Sequence, residues 1–406
     1  MEIINGGVTA AKGFVAAGVY AGIKKKRKDM ALVYSTVPAV AAGTFTTNVV
    51  KAAPVKWDMK LIKEKGNVQA VVLNSGVANA CTGSLGEENN EKMANAVAQA
   101  LNIPVNAVLT ASTGVIGKHL PIDVICEGAK LLQAELADTR EAALLAAEAI
   151  MTTDSISKEA AVSVVIGGKK VTIGGMSKGS GMIHPNMATM LGVVTTDVAI
   201  SQELLQEAVS ADVKETFNMI SIDRDTSTND SLIVLANGLA ENNTITEKNE
   251  DYEIFVKALN YVTKTLAKMM AGDGEGATKL LEVTVQGAST KEQAVILSKS
   301  IITSSLVKTA VFGNDANWGR ILCAMGYAGV DFDPEAVDLY IQSVEGKLKL
   351  VENGIATDYS EEIATKILSA KEVCALADIK MGKESATAWG CDFTYDYVKI
   401  NADYRS

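Results

Sequence analysis

The chain has 406 residues, 48% of them hydrophobic and 21% charged, which fits a folded globular protein too long for one ordinary core. A formal net charge of −10 argues against a general affinity for nucleic acid. Five cysteines with no Cys-x-x-Cys pair, and only two histidines, leave little material for a metal site or a Ser-His-Asp triad.

In chain order, a mildly apolar start precedes a basic run, Lys24–Lys28. A secretory signal carries its positive charge first, and no apolar stretch reaches the ~18 residues of a membrane span. The expectation is a mature cytoplasmic protein with reduced thiols. Residues 31–51 predict strands with a turn around Ala42-Gly43. Val68–Leu73 predicts a short strand ending at Asn74-Ser75-Gly76, and Gly86–Leu101 has helical spacing. The run Val108–Ala111 breaks at Ser112-Thr113-Gly114. Residues 135–151 predict an alanine-rich helix that stops before Thr152-Thr153-Asp154. Ala161–Ile166 and Lys170–Ile173, joined through Gly167-Gly168, predict a hairpin. Ser201 caps a helix running to about Met219. ISID (Ile220–Asp223) and SLIVLAN flank the polar loop RDTSTND. Residues 252–271 form an amphipathic helix ending at Gly272-Asp273-Gly274-Glu275-Gly276. Strands and helices alternate beyond it. The pattern is α/β layers in two lobes that divide near residue 280.

The stretch KGSGMIHPNMATMLGVVTTD, Lys178 to Asp197, has unusual chemistry available to it. Thr189 stands between a His-Pro-Asn turn and an apolar run, and Gly174, Gly175, Gly179, Gly181 and Pro185 supply unusual backbone geometry. A threonine hydroxyl can use its own α-amino group as base once the chain is cut before it. A free α-amine titrates at about 7.7–8, which suits a proton acceptor near neutral pH. Read blandly, Thr189 opens an ordinary strand. Acyl transfer needs oxyanion donors, which Thr113 and Gly114 can give as a hydroxyl and a backbone amide. Lys178 offers a cation for a substrate carboxylate. Glu275, on a glycine-supported loop, can hold an ammonium; the loop lacks the phosphate-binding G-x-x-x-x-G-K-[ST] pattern. His184 reads as a turn residue and His119 as structural. Each polar strand-end cluster alone also reads as a plain turn.

Taken together, these motifs resemble the self-cleaving ArgJ family, glutamate N-acetyltransferases and ornithine acetyltransferases of arginine biosynthesis. The likeness covers nearly the whole chain. It runs through FTTNVVKAAPV, VVLNSGVANACTG, STGVIG, MTTDS, KGSGMIHPNMATML, DTSTND, GEGATK, VFGNDANWGRI and WGCDFTYDYVKINADYRS, in that order. The resemblance implies autocatalytic cutting at Ala188–Thr189, giving an α chain of residues 1–188 and a β chain from 189. It implies Thr189 as nucleophile and base, Thr113 and Gly114 as oxyanion hole, and Thr152, Lys178, Thr189, Glu275, Asn401 and Ser406 as substrate-binding residues. It implies an αββα sandwich over 1–280, similar in logic to the N-terminal nucleophile hydrolases and the DmpA-type aminopeptidases. A smaller α/β lobe, 281–406, would follow, with its tail returning to the site. The implied reaction moves an acetyl group from N-acetylornithine to glutamate. No bound cofactor or metal is expected, acetyl-CoA is a further donor in some members, and the assembly is α2β2. Two departures stand out: Val77 where many relatives carry Asn, and Arg224 where D-G-D is frequent. Two other readings stay open. One is an aminopeptidase or amidase on the same scaffold; the other is an uncut metabolite-binding protein.

Overall fold

The computed structural model describes residues 1–184 and 190–403. Nine strands are linked through one long strand, Met30–Phe45, which belongs to two layers. Its first half pairs with Phe14–Val19 and with Val68–Val77, and Val68–Val77 runs parallel to Val108–Val115. Its second half pairs with Ser231–Ala236. That second layer continues through Leu191–Thr196, Lys169–Lys178 and Lys158–Ile166 to the edge strand Glu2–Ile4. The pairing changes between Tyr34 and Ala39. The bend therefore lies around Pro38, which lacks an amide to donate. It does not lie at Ala42-Gly43, where the sequence suggested a turn. Gly43 serves packing instead: a Cβ there would sit 2.7 Å from the ring of Phe45.

Side-chain alternation stacks the layers. Val71 and Leu73 share a core with Val193, Ile233 and Leu235 of the other layer. Their neighbours Ala70, Val72 and Leu32 turn outward, to Met93, Val97 and Ile125 of helices Gly83–Leu101 and Ile122–Ala134. Val194, Leu232 and Val234 turn outward the other way, to Phe255 and Leu259 of helix Glu250–Gly272. The order is helix, sheet, sheet, helix. Strands covered on both faces need apolar residues at every position, so these runs read as continuous rather than alternating. Each fully buried Val, Leu or Ile contributes about 1.5–3 kcal/mol. The alanine-rich helix is shorter than expected, Arg140–Ala149, and starts at the Thr139 cap. Its small residues matter because Gly18 approaches the helix so closely that a Cβ there would fall 2.0 Å from the Leu145 carbonyl oxygen. The helix begun at Ser201 stops at Asp212, and a 3-10 turn, Phe217–Met219, follows.

Leu280 opens a second, mixed sheet. Leu280–Ala288 lies between Glu372–Asp378 and Glu384–Cys391. The sheet also takes in a two-residue strand, Ile220-Ser221, from earlier in the chain. Residues from before and after Leu280 merge in one hydrophobic cluster that includes helix Glu250–Gly272. The last helix, Tyr395–Asp403, folds back on the Gly274–Thr278 loop. There Thr394 Oγ donates to the Gly276 carbonyl at 2.7 Å, and Asp392 accepts from the Thr278 amide at 2.8 Å.

Candidate active site

The three polar clusters that follow apolar runs converge. Parallel strands Val68–Val77 and Val108–Val115 bring Gly76 directly beside Gly114. Gly114 has φ +130°, and a Cβ on it would sit 2.3 Å from the Gly76 carbonyl carbon. Only glycine fits this position, for both reasons. Side chains then fix the ends: Ser112 Oγ donates to Asn74 Oδ1 at 2.6 Å, and Asn74 Nδ2 to the Val77 carbonyl at 2.9 Å. Asn229, from the RDTSTND loop, donates to the carbonyls of Ala78 and Ser112 at 2.6 and 2.8 Å. Ser75 Oγ donates to the Ala149 carbonyl at 2.6 Å, which ties the end of the helix that precedes the third cluster to the first.

A pocket of about 440 Å³ opens at this edge. Thr113, Gly114, Thr152, Lys178, Glu275 and Asn401 all line it, so six sequence-predicted positions meet there. Ala188, Thr189 and Ser406 lie outside the described residues. Met190 and Leu191, which follow Thr189, line the pocket, and Lys178 is the strand partner of Leu191. The chain is anchored on both sides of that segment. The amides of Met182 and Ile183 donate to the Asp223 carboxylate at 2.6 and 2.8 Å, and the Ser231 amide donates to the Met190 carbonyl at 2.9 Å.

Another part of the lining, with Thr152, Lys178 and Glu275, rests on a buried charge network. Lys158 is fully buried and bridges Asp154 at 2.7 Å and Asp273 at 2.6 Å. Asp154 also accepts from the amides of Thr152 at 3.0 Å and Gly179 at 2.6 Å. Asp273 accepts from Ser155, and its carbonyl accepts from Ser180 Oγ at 2.8 Å. The network thus aligns three segments: Thr152–Ser155, Lys178–Ser180 and Asp273–Glu275. Burial opposes ionisation of Asp154, yet Lys178 and Lys158 hold its carboxyl well below the usual range. Burial pulls Lys178 below the ordinary lysine value, and Asp154 and Glu275 offset part of that. Among the described residues no carboxylate lies within ion-pair distance of Lys178. A substrate carboxylate would supply that partner and favour the charged form. Glu275 accepts from Asn401 Nδ2 at 2.7 Å, and its amide donates to the Ser180 carbonyl at 2.8 Å. A side chain on Gly181 would strike the Glu275 carboxyl at 2.4 Å.

Neither histidine lines the pocket. Burial and the nearby Lys299 and Arg224 push His184 down to about 4, so it stays neutral, with Nδ1 3.1 Å from Ser221 Oγ. His119 is exposed. The sequence reading missed Asp154, Lys158, Asp273 and Asn229 as parts of the site. Asp154 and Asn229 stand in the motifs MTTDS and DTSTND, and Asp273 in the glycine-rich end of helix Glu250–Gly272, which was the available signal; Lys158 carries none. The two departures fall in different places. Val77 packs into the hydrophobic core with Met30, Leu32 and Val72. Arg224 is exposed with φ +71°, in the left-handed region that favours glycine.

The site can present a hydroxyl and an amide to a developing oxyanion, a cation to a carboxylate and a carboxylate to an ammonium. The model of the ArgJ family matches residues 15–406. The chain is 51% identical over 406 residues to the arginine biosynthesis bifunctional protein ArgJ of Caldanaerobacter subterraneus subsp. tengcongensis, covering all of both chains. It is 48% identical to the protein of the same name from Thermotoga neapolitana, covering 97% of this chain and 99% of that one. A crystal structure of arginine biosynthesis bifunctional protein ArgJ from Bacillus halodurans aligns with TM-score 0.50 at 48% identity. That alignment takes in 98% of the solved chain but 52% of this one, so the solved polypeptide is about half as long. Sequence, fold and the composition of the pocket agree: this chain belongs to the ArgJ family.

Proposed function

We propose that this enzyme transfers an acetyl group from N-acetylornithine to glutamate through an acetyl ester on Thr189, after cutting its own Ala188–Thr189 bond. The observation that carries this reading is the convergence of Thr113, Gly114, Lys178, Glu275 and Asn401 on a pocket whose wall continues into Met190. Near half-identity over the full length to proteins named for arginine biosynthesis supports the pathway. The half-length polypeptide in the solved relative supports processing into two chains.

In the proposed cycle the Thr189 hydroxyl attacks the acetyl carbonyl while its α-amine accepts the proton. Thr113 and the Gly114 amide meet the charge that collects on oxygen; losing one such donor typically costs about 3–4 kcal/mol of barrier. The C–N bond breaks and ornithine leaves with the proton, leaving the ester. The glutamate amine then attacks the ester carbonyl, Thr189 Oγ departs, and the proton returns to it. Glutamate outcompetes water only when held in place. Lys178 would hold its α-carboxylate, and Glu275 with Asn401 would close the far side. Thr152 and Ser406 belong to the same proposed set of substrate contacts.

The term bifunctional in the relatives' names supports acetyl-CoA as a second acetyl donor, consumed without being a bound cofactor. An α2β2 assembly, a catalytic unit of residues 1–280 with a lobe of 281–406, and a cytoplasmic location complete the proposal. All five cysteines are free of disulfides, and among the described residues no single helix is long and apolar enough to cross a membrane. The test is product analysis with N-acetylornithine, with and without glutamate. N-acetylglutamate formation that requires both substrates is expected. Ornithine release at full rate without glutamate would favour the amidase reading instead.

A further inference from the structure

The basic run Lys24–Lys28 is not used by the chemistry above, yet it lies against the site. It begins next to the oxyanion edge: a Cβ on Gly76 would meet Ile23 and Lys24 side chains at 3.1 Å, and Gly76 itself abuts Gly114. Lys24 Nζ donates to the Met151 carbonyl at 2.9 Å, and Arg27 reaches the carbonyl of Thr152, a pocket residue, at 3.4 Å. The loop is preformed. The buried Asp29 carboxylate accepts from the amides of Ala21, Gly22 and Lys24 at 2.7, 3.0 and 2.9 Å.

Its cations are unevenly used. Lys28 pairs with Glu148 at 3.1 Å. Among the described residues, exposed Lys25, Lys26 and Arg27 have no carboxylate within ion-pair distance. Burial, with Arg27 and Lys178 nearby, brings Lys24 down to about 8, although Asp29 opposes the shift. Concentrated like charge of this kind is unfavourable by itself and is relieved by a polyanion. The loop is also the densest basic run in a chain whose net charge is −10. Tyr20 adds an aromatic face: it is 52% exposed, and its hydroxyl donates to the Lys25 carbonyl at 3.4 Å. Cations beside an open aromatic ring are what a phosphorylated purine nucleotide needs.

We propose that the Tyr20–Lys28 loop binds the phosphate-bearing adenosine end of the acetyl thioester donor, a coenzyme A-type carrier, with the acyl end directed to the Gly114 edge. This assignment rests on the reading of acetyl-CoA as second donor. It explains how one pocket sized for an amino acid could accept a much larger donor: the bulk of the carrier stays outside, on the loop.

The test compares two reactions in the processed enzyme, with acetyl-CoA or N-acetylornithine as donor and glutamate as acceptor. The double variant Lys25→Glu/Lys26→Glu should raise KM for acetyl-CoA tenfold or more. It should leave kcat/KM for N-acetylornithine within twofold. Equal effects on both donors, or no effect on acetyl-CoA, would overturn the proposal. A wild-type enzyme inactive with acetyl-CoA would refute the second-donor reading, and the site is then judged by binding alone. In calorimetry, adenosine 3′,5′-bisphosphate should bind the wild type and lose at least tenfold in affinity in the variant. Absence of binding to the wild type in that case overturns the site as well.

Discussion

The two walls of the pocket are specified by opposite means. The glycine wall is defined by missing atoms: Gly76 and Gly114 approach to a distance that no side chain permits, and neutral hydrogen bonds from Asn74, Ser112 and Asn229 fix the strand ends. The other wall is defined by charge: a buried Asp154–Lys158–Asp273 bridge sets three segments, and Lys178 and Glu275 line the pocket from them. A steric wall should respond all-or-none to substitution and be indifferent to pH. An ionic wall should respond in grades, and its response should follow protonation.

The largest effect is expected from Gly114→Ala. Its methyl group would overlap the Gly76 backbone, so chain cutting and transfer should both fall at least a hundredfold, the scale of a lost oxyanion donor. The cut is read on a denaturing gel and the transfer by N-acetylglutamate formation; a variant that keeps either at wild-type rate would show that the close approach is dispensable.

Next comes Lys158→Met. Removing one partner of a buried ionic group leaves uncompensated charge and typically costs about 3–5 kcal/mol. The midpoint of urea unfolding should drop accordingly, and the triple variant Asp154→Asn/Lys158→Met/Asp273→Asn should regain part of the loss. No recovery in the triple variant would mean that the network acts through shape rather than charge.

Asp154→Asn sharpens the contrast through pH. The folded carboxyl titrates below its unfolded value, so its stabilisation is complete above about pH 4 and is lost as pH falls through the lowered folded value. The cost of the substitution should therefore be constant from pH 5 to 7 and shrink below pH 4. A cost that is flat down to pH 2 would deny the ionic origin. Asn401→Ala is the mildest. It removes one 2.7 Å hydrogen bond to the Glu275 carboxylate, a class worth about 1.5–3 kcal/mol, from the helix that closes the pocket. We expect KM for N-acetylornithine to rise by about tenfold, with the urea midpoint lowered by no more than that one hydrogen bond is worth; unchanged KM would remove that helix from the site.

The same contrast explains what was legible in the sequence. The glycine wall could be read, because Asn-Ser-Gly and Ser-Thr-Gly at the ends of apolar runs are local patterns. The reason for the glycines could not, since the contact between Gly76 and Gly114 exists only once the strands pair. The ionic wall was half visible: Lys178 and Glu275 announced charge. Lys158 looked like any strand lysine, because its partner Asp273 is 115 residues away. Continuous apolar runs such as Val68–Leu73 and Ser231–Ala236 revealed buried strands. The long strand Met30–Phe45 was misread because Gly43 was taken for turn chemistry when it makes room for Phe45.

The central claim is that Thr189 becomes an amino terminus. Intact mass spectrometry of catalytically active wild-type protein tests it most directly. Two polypeptides that meet at Ala188 and Thr189 are predicted, and the Thr189→Ala variant should remain whole and inactive. Active material consisting of a single species at 42.7 kDa would contradict the account.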